Sequence, residues 1–281
     1  MEISLAVTLA VLGGAMLHAS WNALVKSSAD KQLDTAAISA GAGLLALGAM
    51  VWLPAPAPAS YPWLAASAVV HIFYFALLAD AYRWGDLSFT YPVMRGGGPV
   101  IVALVGSLVL GESLPSAQTL GILLICAGVL AFATVRTHDP VALRRALGFA
   151  LGNAAVVAAY TIIDAQGARA SGEPVSYALW FFFANGVAVP AWFALHRGRA
   201  VADYFARHWP RALLGGACTL GSYGIALWAM TQAPIALVAA LRETSVIFGA
   251  LLGALFLGER FTRRRLVATV AVLAGLVALR A

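Results

Sequence analysis

Long apolar stretches, divided by brief polar punctuation, make up nearly the whole chain. Ten of them approach the roughly 20 apolar residues a helix needs to cross a bilayer. They cover residues 4–24, 33–53, 62–82, 87–110, 117–134, 146–165, 175–195, 210–231, 234–257 and 265–280. The clearest breaks are Pro54-Ala55-Pro56-Ala57-Pro58, after the second stretch, and Arg136-Thr137-His138-Asp139-Pro140, after the fifth. The second break divides the chain into units 1–138 and 139–281, each with five predicted helices. The pattern predicts an all-α membrane protein.

The two units carry a common pattern. Leu110-Gly111-Glu112-Ser113 closes the fourth stretch, and Leu257-Gly258-Glu259-Arg260 closes the ninth, 147 residues later. The same offset carries Arg95 onto Arg242. Five helices is an odd number, so the second unit enters the membrane from the opposite face. Inverted repeats of this kind place a substrate site near the bilayer midplane, between the repeats. The expected architecture is ten transmembrane helices in two inverted five-helix repeats around a central cavity.

Basic residues set the expected orientation, because Lys and Arg concentrate in cytoplasmic loops. Fourteen lie in the connections after helices 1, 3, 5, 7 and 9, from Lys26 to Arg265, and only Arg169 and Arg280 lie on the other side. With Arg95 and Arg242 set aside, these account for all 18. The expectation is a multi-pass protein of the inner (plasma) membrane with basic loops in the cytoplasm and both termini outside. Met1-Glu2-Ile3-Ser4 has no basic region before the first apolar run, so that run is read as a retained helix.

Composition narrows the class further. Hydrophobic residues form 62% of 281 and charged residues 11%, against about 25% charged in soluble domains. The formal charge of +6 does not point to nucleic acid, since the arginines sit in short loops rather than in a stripe with interleaved aromatics. Cys126 and Cys218 fall inside apolar runs and behave as small hydrophobes. No metal-ligand spacing and no cofactor motif is present.

Candidate chemistry centres on charges inside the apolar runs. Arg95 lies in Tyr91-Pro92-Val93-Met94-Arg95-Gly96-Gly97-Gly98-Pro99, and Arg242 in Ala240-Leu241-Arg242-Glu243-Thr244. An arginine at the centre of a span costs about 2.5–3.5 kcal/mol on insertion scales. Prolines and glycines weaken the fourth helix as well. One reading is a cationic site for a carboxylate, phosphonate or phosphate, which guanidinium grips through two parallel hydrogen bonds. The other is a buried ion pair that ties helices together. Glu243 is correspondingly either a proton-coupling carboxylate or the partner of an arginine on another helix. Asp164 and Asp80 are read as interfacial.

Polar faces on other helices complete the candidate set. His18 and Asn22 lie four apart and share a face, with Trp21 between them as a lining or interfacial belt residue. His71 and Tyr74 follow helical spacing in the third stretch, and Asn153 and Tyr160 in the sixth. Thr219 and Tyr223 do so in the eighth. Tyr91 opens the Arg95 segment. Each face either lines a cavity or makes helix–helix hydrogen bonds. Tyr177 and Trp180 read as an interfacial belt. The fifth and tenth stretches are almost purely apolar and read as outer helices, while Gly249 and Gly253 allow close helix approach.

The paired five-helix units, the Pro92…Arg95…Pro99 segment and the Gly111-Glu112 and Gly258-Glu259 ends resemble EamA-type members of the drug/metabolite transporter superfamily. The resemblance covers nearly the whole chain. It implies a bundle with a central cavity, alternating access, and export or exchange of small metabolites. The related small multidrug exporters depend on a glutamate within the first helix, and no acid stands mid-span here. The leading expectation is a secondary transporter for a small anionic or zwitterionic metabolite, amino-acid-like or phosphonate-like, with protons as a candidate coupling ion. Alternatives are a lipid-linked carrier or flippase and a broad-specificity metabolite or drug exporter. An intramembrane enzyme finds no motif: GxSG, HExxH and paired glutamates on one helix are all missing. Expected partners are the small-molecule substrate and the lipid bilayer, for a monomer or homodimer.

Overall fold

The computed structural model describes residues 3–133, 139–256 and 262–279. Helices in chain order are α1 (Leu5–Ser27), α2 (Lys31–Met50), α3 (Tyr61–Trp84), α4 (Leu87–Val109), α5 (Ser116–Ala131) and α6 (Pro140–Ala170). They continue as α7 (Pro174–Arg197), α8 (Ala200–Gln232), α9 (Ile235–Arg242), α10 (Ser245–Phe256) and α11 (Arg263–Ala278). A short 3₁₀ turn, Pro58–Ser60, precedes α3. Among the described residues there is no strand. Among the described residues eight segments are long and apolar enough to cross a membrane: α1, α2, α3 with its leading turn, α4, α6, α7, α8, and α9 joined to α10. Helices α5 and α11 have 16 residues each, about 24 Å at the α-helical rise.

The helix starts have local causes. Ser4 accepts from the Val7 N–H, Asp30 from those of Gln32 and Leu33, and Asp139 from that of Val141. Each satisfies donors that a first turn leaves unpaired. Pro140 occupies the first turn of α6, where its fixed φ suits the helix. Helix α8 bends at His208, whose backbone leaves helical geometry two residues before Pro210. The proline removes one i→i−4 hydrogen bond and crowds the preceding turn.

Lipid supplies no hydrophobic drive between helices, so close packing has to come from small residues. Helix α2 shows this most clearly. A Cβ added to Gly41 would stand 2.3 Å from the Ala212 carbonyl oxygen of α8, and one added to Gly43 would stand 2.8 Å from Gly186 Cα of α7. Helix α2 therefore meets both neighbours backbone to backbone. Helices α5 and α11 meet the same way, through Gly121 and Gly275. Large apolar side chains such as Leu108, Val109, Leu195 and Val277 point outward and stay exposed.

Two expectations about the backbone are corrected. Helix α4 is continuous through Pro92 and Pro99. Its glycines serve close approach: a Cβ on Gly96 would stand 2.8 Å from Leu130 of α5, and one on Gly97 would stand 3.0 Å from Ala154 of α6. The break falls in the ninth span instead, between α9 and α10, at Glu243 and Thr244. There the N–H groups of Glu243, Thr244, Val246 and Ile247 each bond three residues back. The turn tightens to 3₁₀ geometry, without any proline or glycine.

The repeat-end pattern at Gly258-Glu259 and the boundary residues Arg136-Thr137-His138 lie outside the described residues.

Candidate functional site

The break between α9 and α10 delivers Glu243 to the interior, where it meets Arg95 from α4. Arg95 Nε donates to Glu243 Oε2 at 3.0 Å, and Nη2 stands 3.0 Å from Oε1. The arrangement is a fork, the geometry guanidinium favours with carboxylates. Nη2 is nonetheless not aligned to donate and makes no hydrogen bond. The pair is deep, with 12% of the Arg95 side chain and 6% of the Glu243 side chain accessible.

Arg242, one residue before Glu243, projects elsewhere, as adjacent helical positions do. Its Cζ lies 4.9 Å from the centre of the Tyr223 ring of α8, a cation–π contact. Among the described residues no carboxylate forms an ion pair with Arg242. The Glu243 carboxylate is thus paired with one guanidinium and within electrostatic reach of a second.

Aromatic and polar groups surround this centre. His18 of α1 is within electrostatic reach of both arginines, as are Tyr91 of α4 and Tyr160 of α6. Tyr74 of α3 reaches Arg95 and packs edge-on against Tyr160 at 5.9 Å. His71 lies 4.6 Å from the Tyr160 ring and 5.3 Å from Phe181. The remaining candidates are less directly placed. Trp21 packs edge-on against His18, with its indole nitrogen 3.4 Å from His18 Nδ1. The Asn22 amide turns back to the His18 carbonyl of its own helix. Asn153 is fully buried and donates to the Tyr74 carbonyl, tying α6 to α3, while its own Oδ1 meets no donor among the described residues.

The interfacial readings of Asp164 and Tyr177 are corrected. Both are completely buried. Tyr177 OH donates to Asp164 Oδ1 at 3.1 Å, and Tyr223 OH donates to Oδ2 at 2.6 Å. Helix α6 extends to Ala170, so Asp164 sits well before its end. A Cβ at Gly167 would collide with the Tyr177 hydroxyl at 2.4 Å. The glycine one turn along α6 makes room for the tyrosine. Trp180 is half-buried and stacks on Tyr61 at 5.8 Å.

Polar ties also close the two ends of the bundle. At one end Arg211 of α8 bonds the buried Asp34 of α2 at 3.0 Å and reaches the Leu24 carbonyl and Ser27 of α1. Tyr204 donates to the same Asp34. At the other end Glu112 pairs with Arg169 of α6 at 3.0 Å and accepts from the Ile235 N–H that begins α9.

Residues 144–281 match the EamA-like transporter family. No curated protein sequence matches the chain. Among solved structures 28 chains match. One crystal structure superposes with a TM-score of 0.72 over 97% of this chain and 94% of its own, at 16% sequence identity. That level of identity makes the likeness one of fold.

Proposed function

We propose that this chain is a secondary transporter, a reading supported by the match of residues 144–281 to the EamA-like transporter family. Its cargo is a small anionic or zwitterionic metabolite, bound at Arg95 and Arg242 and moved by alternating access. The observation that carries the reading is the charge imbalance at the centre. One carboxylate faces two guanidiniums, and Arg95 Nη2 has hydrogens left over for a further acceptor. Hydrocarbon does not tolerate such groups, so intramembrane charges mark pathways and sites.

Packing supports two inverted five-helix repeats. Under a swap of the two units, α3 against α6 becomes α8 against α1, and α4 against α6 becomes α9 and α10 against α1. All four pairings occur. Helices α2 and α7, α4 and α9, and α5 and α11 pack on their own counterparts. Several pairs break the symmetry: α2 packs extensively on α8, α7 on α8 and α6 on α8, while α3 with α7, α2 with α3 and α1 with α3 have no comparable interface. Unequal faces are what one state of an alternating-access cycle requires.

The deciding experiment is counterflow into proteoliposomes with a panel of amino acids, monocarboxylates and phosphonates, comparing the parent with Arg95→Ala. The expected result is exchange of at least one panel compound by the parent and none by a folded variant. Equal counterflow in both removes Arg95 from the site. The basic loops are assigned to the cytoplasm of the plasma membrane, with both termini outside. A cytoplasm-dependent reporter fused after Ala281 is expected to stay inactive, and activity there reverses the assignment.

A further inference from the structure

The completely buried carboxylate of Asp164 has no place in anion binding as described so far. Two phenol hydroxyls donate to it, from Tyr177 and Tyr223. Among the described residues no cation forms an ion pair with it. Buried charges are ordinarily paired or neutralised. Glu243, the other interior acid, is already committed to Arg95 through its fork. Asp164 is therefore, among the described residues, the fully buried acid that has no ion-pair partner of its own.

Other titratable groups face it from each element packed around it. His71 of α3 is within electrostatic reach, and Ser67, one turn before, approaches the carboxylate. His71 Nδ1 is 2.8 Å from the Ser67 carbonyl. A carbonyl only accepts, so Nδ1 carries the hydrogen in this contact. The ring is half-buried rather than sealed. Tyr160 stands one turn before Asp164 on α6, Tyr177 is on α7 and Tyr223 on α8. Tyr223 touches both centres: its hydroxyl meets Asp164 and its ring face meets Arg242 of α9.

We propose that Asp164 is the proton-binding site of the transporter, coupled to the anion site through Tyr223 and the charge balance they share. The proposal rests on the anion-transport reading above. Counted over Arg95, Arg242, Glu243 and Asp164 alone, an ionised Asp164 makes the interior neutral. One proton added to the Asp164 carboxylate, giving the neutral acid, leaves the interior with one positive charge. A monoanion then restores neutrality. Proton and anion enter and leave together, and the loaded and empty carriers both cross without net interior charge. For a zwitterion the same proton leaves a surplus charge, so transport becomes sensitive to membrane potential.

The first arm of the test needs no substrate. Infrared difference spectra of the purified protein across a pH series are expected to show a protonated-carboxyl band growing as pH falls. The band is lost in Asp164→Asn and kept in Glu243→Gln. If Asp164→Asn does not fold, isotopically labelled aspartate in the parent protein assigns the band to an aspartate by its shift, and Tyr223→Phe, which removes one hydroxyl from Asp164, is expected to move it. A band that survives Asp164→Asn, or that does not move with labelled aspartate, overturns the proton site. The second arm uses the panel compound that gives Arg95-dependent counterflow, added to weakly buffered protein with a pH indicator. Proton uptake on binding is expected in the parent and lost in Asp164→Asn, with counterflow retained and rescue of uptake by Asp164→Glu. Binding without proton uptake in the parent overturns the coupling. Failure of every panel compound refutes the anion site and with it the coupling, and the infrared arm then decides the proton site alone.

Discussion

Whether the Arg95–Glu243 pair is a tie between helices or part of a working site is decided by a double-mutant cycle. The variants are Arg95→Met, Glu243→Gln and the two combined. The two nitrogen–oxygen approaches of 3.0 Å set the charge centres near contact. At a separation of about 4 Å and an effective dielectric of about 20, the attraction is about 4 kcal/mol. Desolvation of both groups offsets most of that, so the intact pair adds little net stability. Removing one partner is different, because it leaves an uncompensated interior charge and costs about 3–5 kcal/mol. Glu243→Gln is the harsher change, since it leaves both Arg95 and Arg242 unbalanced. The double variant removes both charges of the pair and is expected to recover about 3 kcal/mol relative to the sum of the singles. The assay is equilibrium unfolding in mixed micelles, with counterflow measured on the same preparations. Expected together are a large positive coupling in stability and no transport by the stabilised double variant. Strictly additive singles refute the pair, and transport by the folded double variant refutes its part in the site.

Other outcomes follow from the same geometry. Arg95→Lys keeps the charge and loses the fork, so transport is expected to fall at least tenfold while the thermal midpoint moves little, as measured in parallel by counterflow and melting. Gly41→Leu forces a side chain into the Ala212 backbone, and overpacking of this kind costs about 1–3 kcal/mol, read as lost thermal stability in detergent. Gly167→Ala displaces the Tyr177 hydroxyl from Asp164, with the expected signature a changed infrared band for that carboxyl rather than a collapse of the fold. Asp30, outside the spans, is held below the usual carboxylate range chiefly by the Leu33 N–H, then by Arg197. A depressed folded value means its contribution is present above the ordinary carboxylate value of about 3.9 and lost as pH falls below it. Melting temperatures of the parent and Asp30→Ala are expected to differ near neutral pH, through loss of a cap worth about 1 kcal/mol, and to converge in strong acid.

How far the sequence could be read depended on whether a signal was local. The Arg95 and Arg242 positions were legible, because a guanidinium inside a 20-residue apolar run stands out wherever it later points. The continuity of α4 was not. Proline and glycine carry a local meaning as helix weakeners and a tertiary one as surfaces for close approach, and only the positions of Leu130, Cys126 and Ala154 select the second. The break after Arg242 left no trace, since Leu241-Arg242-Glu243-Thr244 holds neither breaker. Its cause is distant: Glu243 meets Arg95 across 148 positions of chain.

Asp164 shows the same limit from the other side. Hydropathy falls at Asp164-Ala165-Gln166-Gly167, which places the end of a lipid-facing span there. Helix α6 continues to Ala170 because α7 and α8 cover that turn and supply phenol hydroxyls where lipid offers none. A polar residue near the end of an apolar run is therefore ambiguous until its neighbours are known. Lipid on that face excludes it, water makes it interfacial, and two tyrosines make it a buried acid. Gly167, four residues from the tyrosine-bound carboxyl's neighbour Ile163, was the one local hint, since a glycine one turn beyond an acid leaves space for a large side chain to reach it. The functional consequence depends on Tyr223, whose two ends touch the two charge centres. Substituting Phe for it keeps the ring under Arg242 and removes the hydroxyl, so it separates packing from coupling in a way no substitution of Asp164 can.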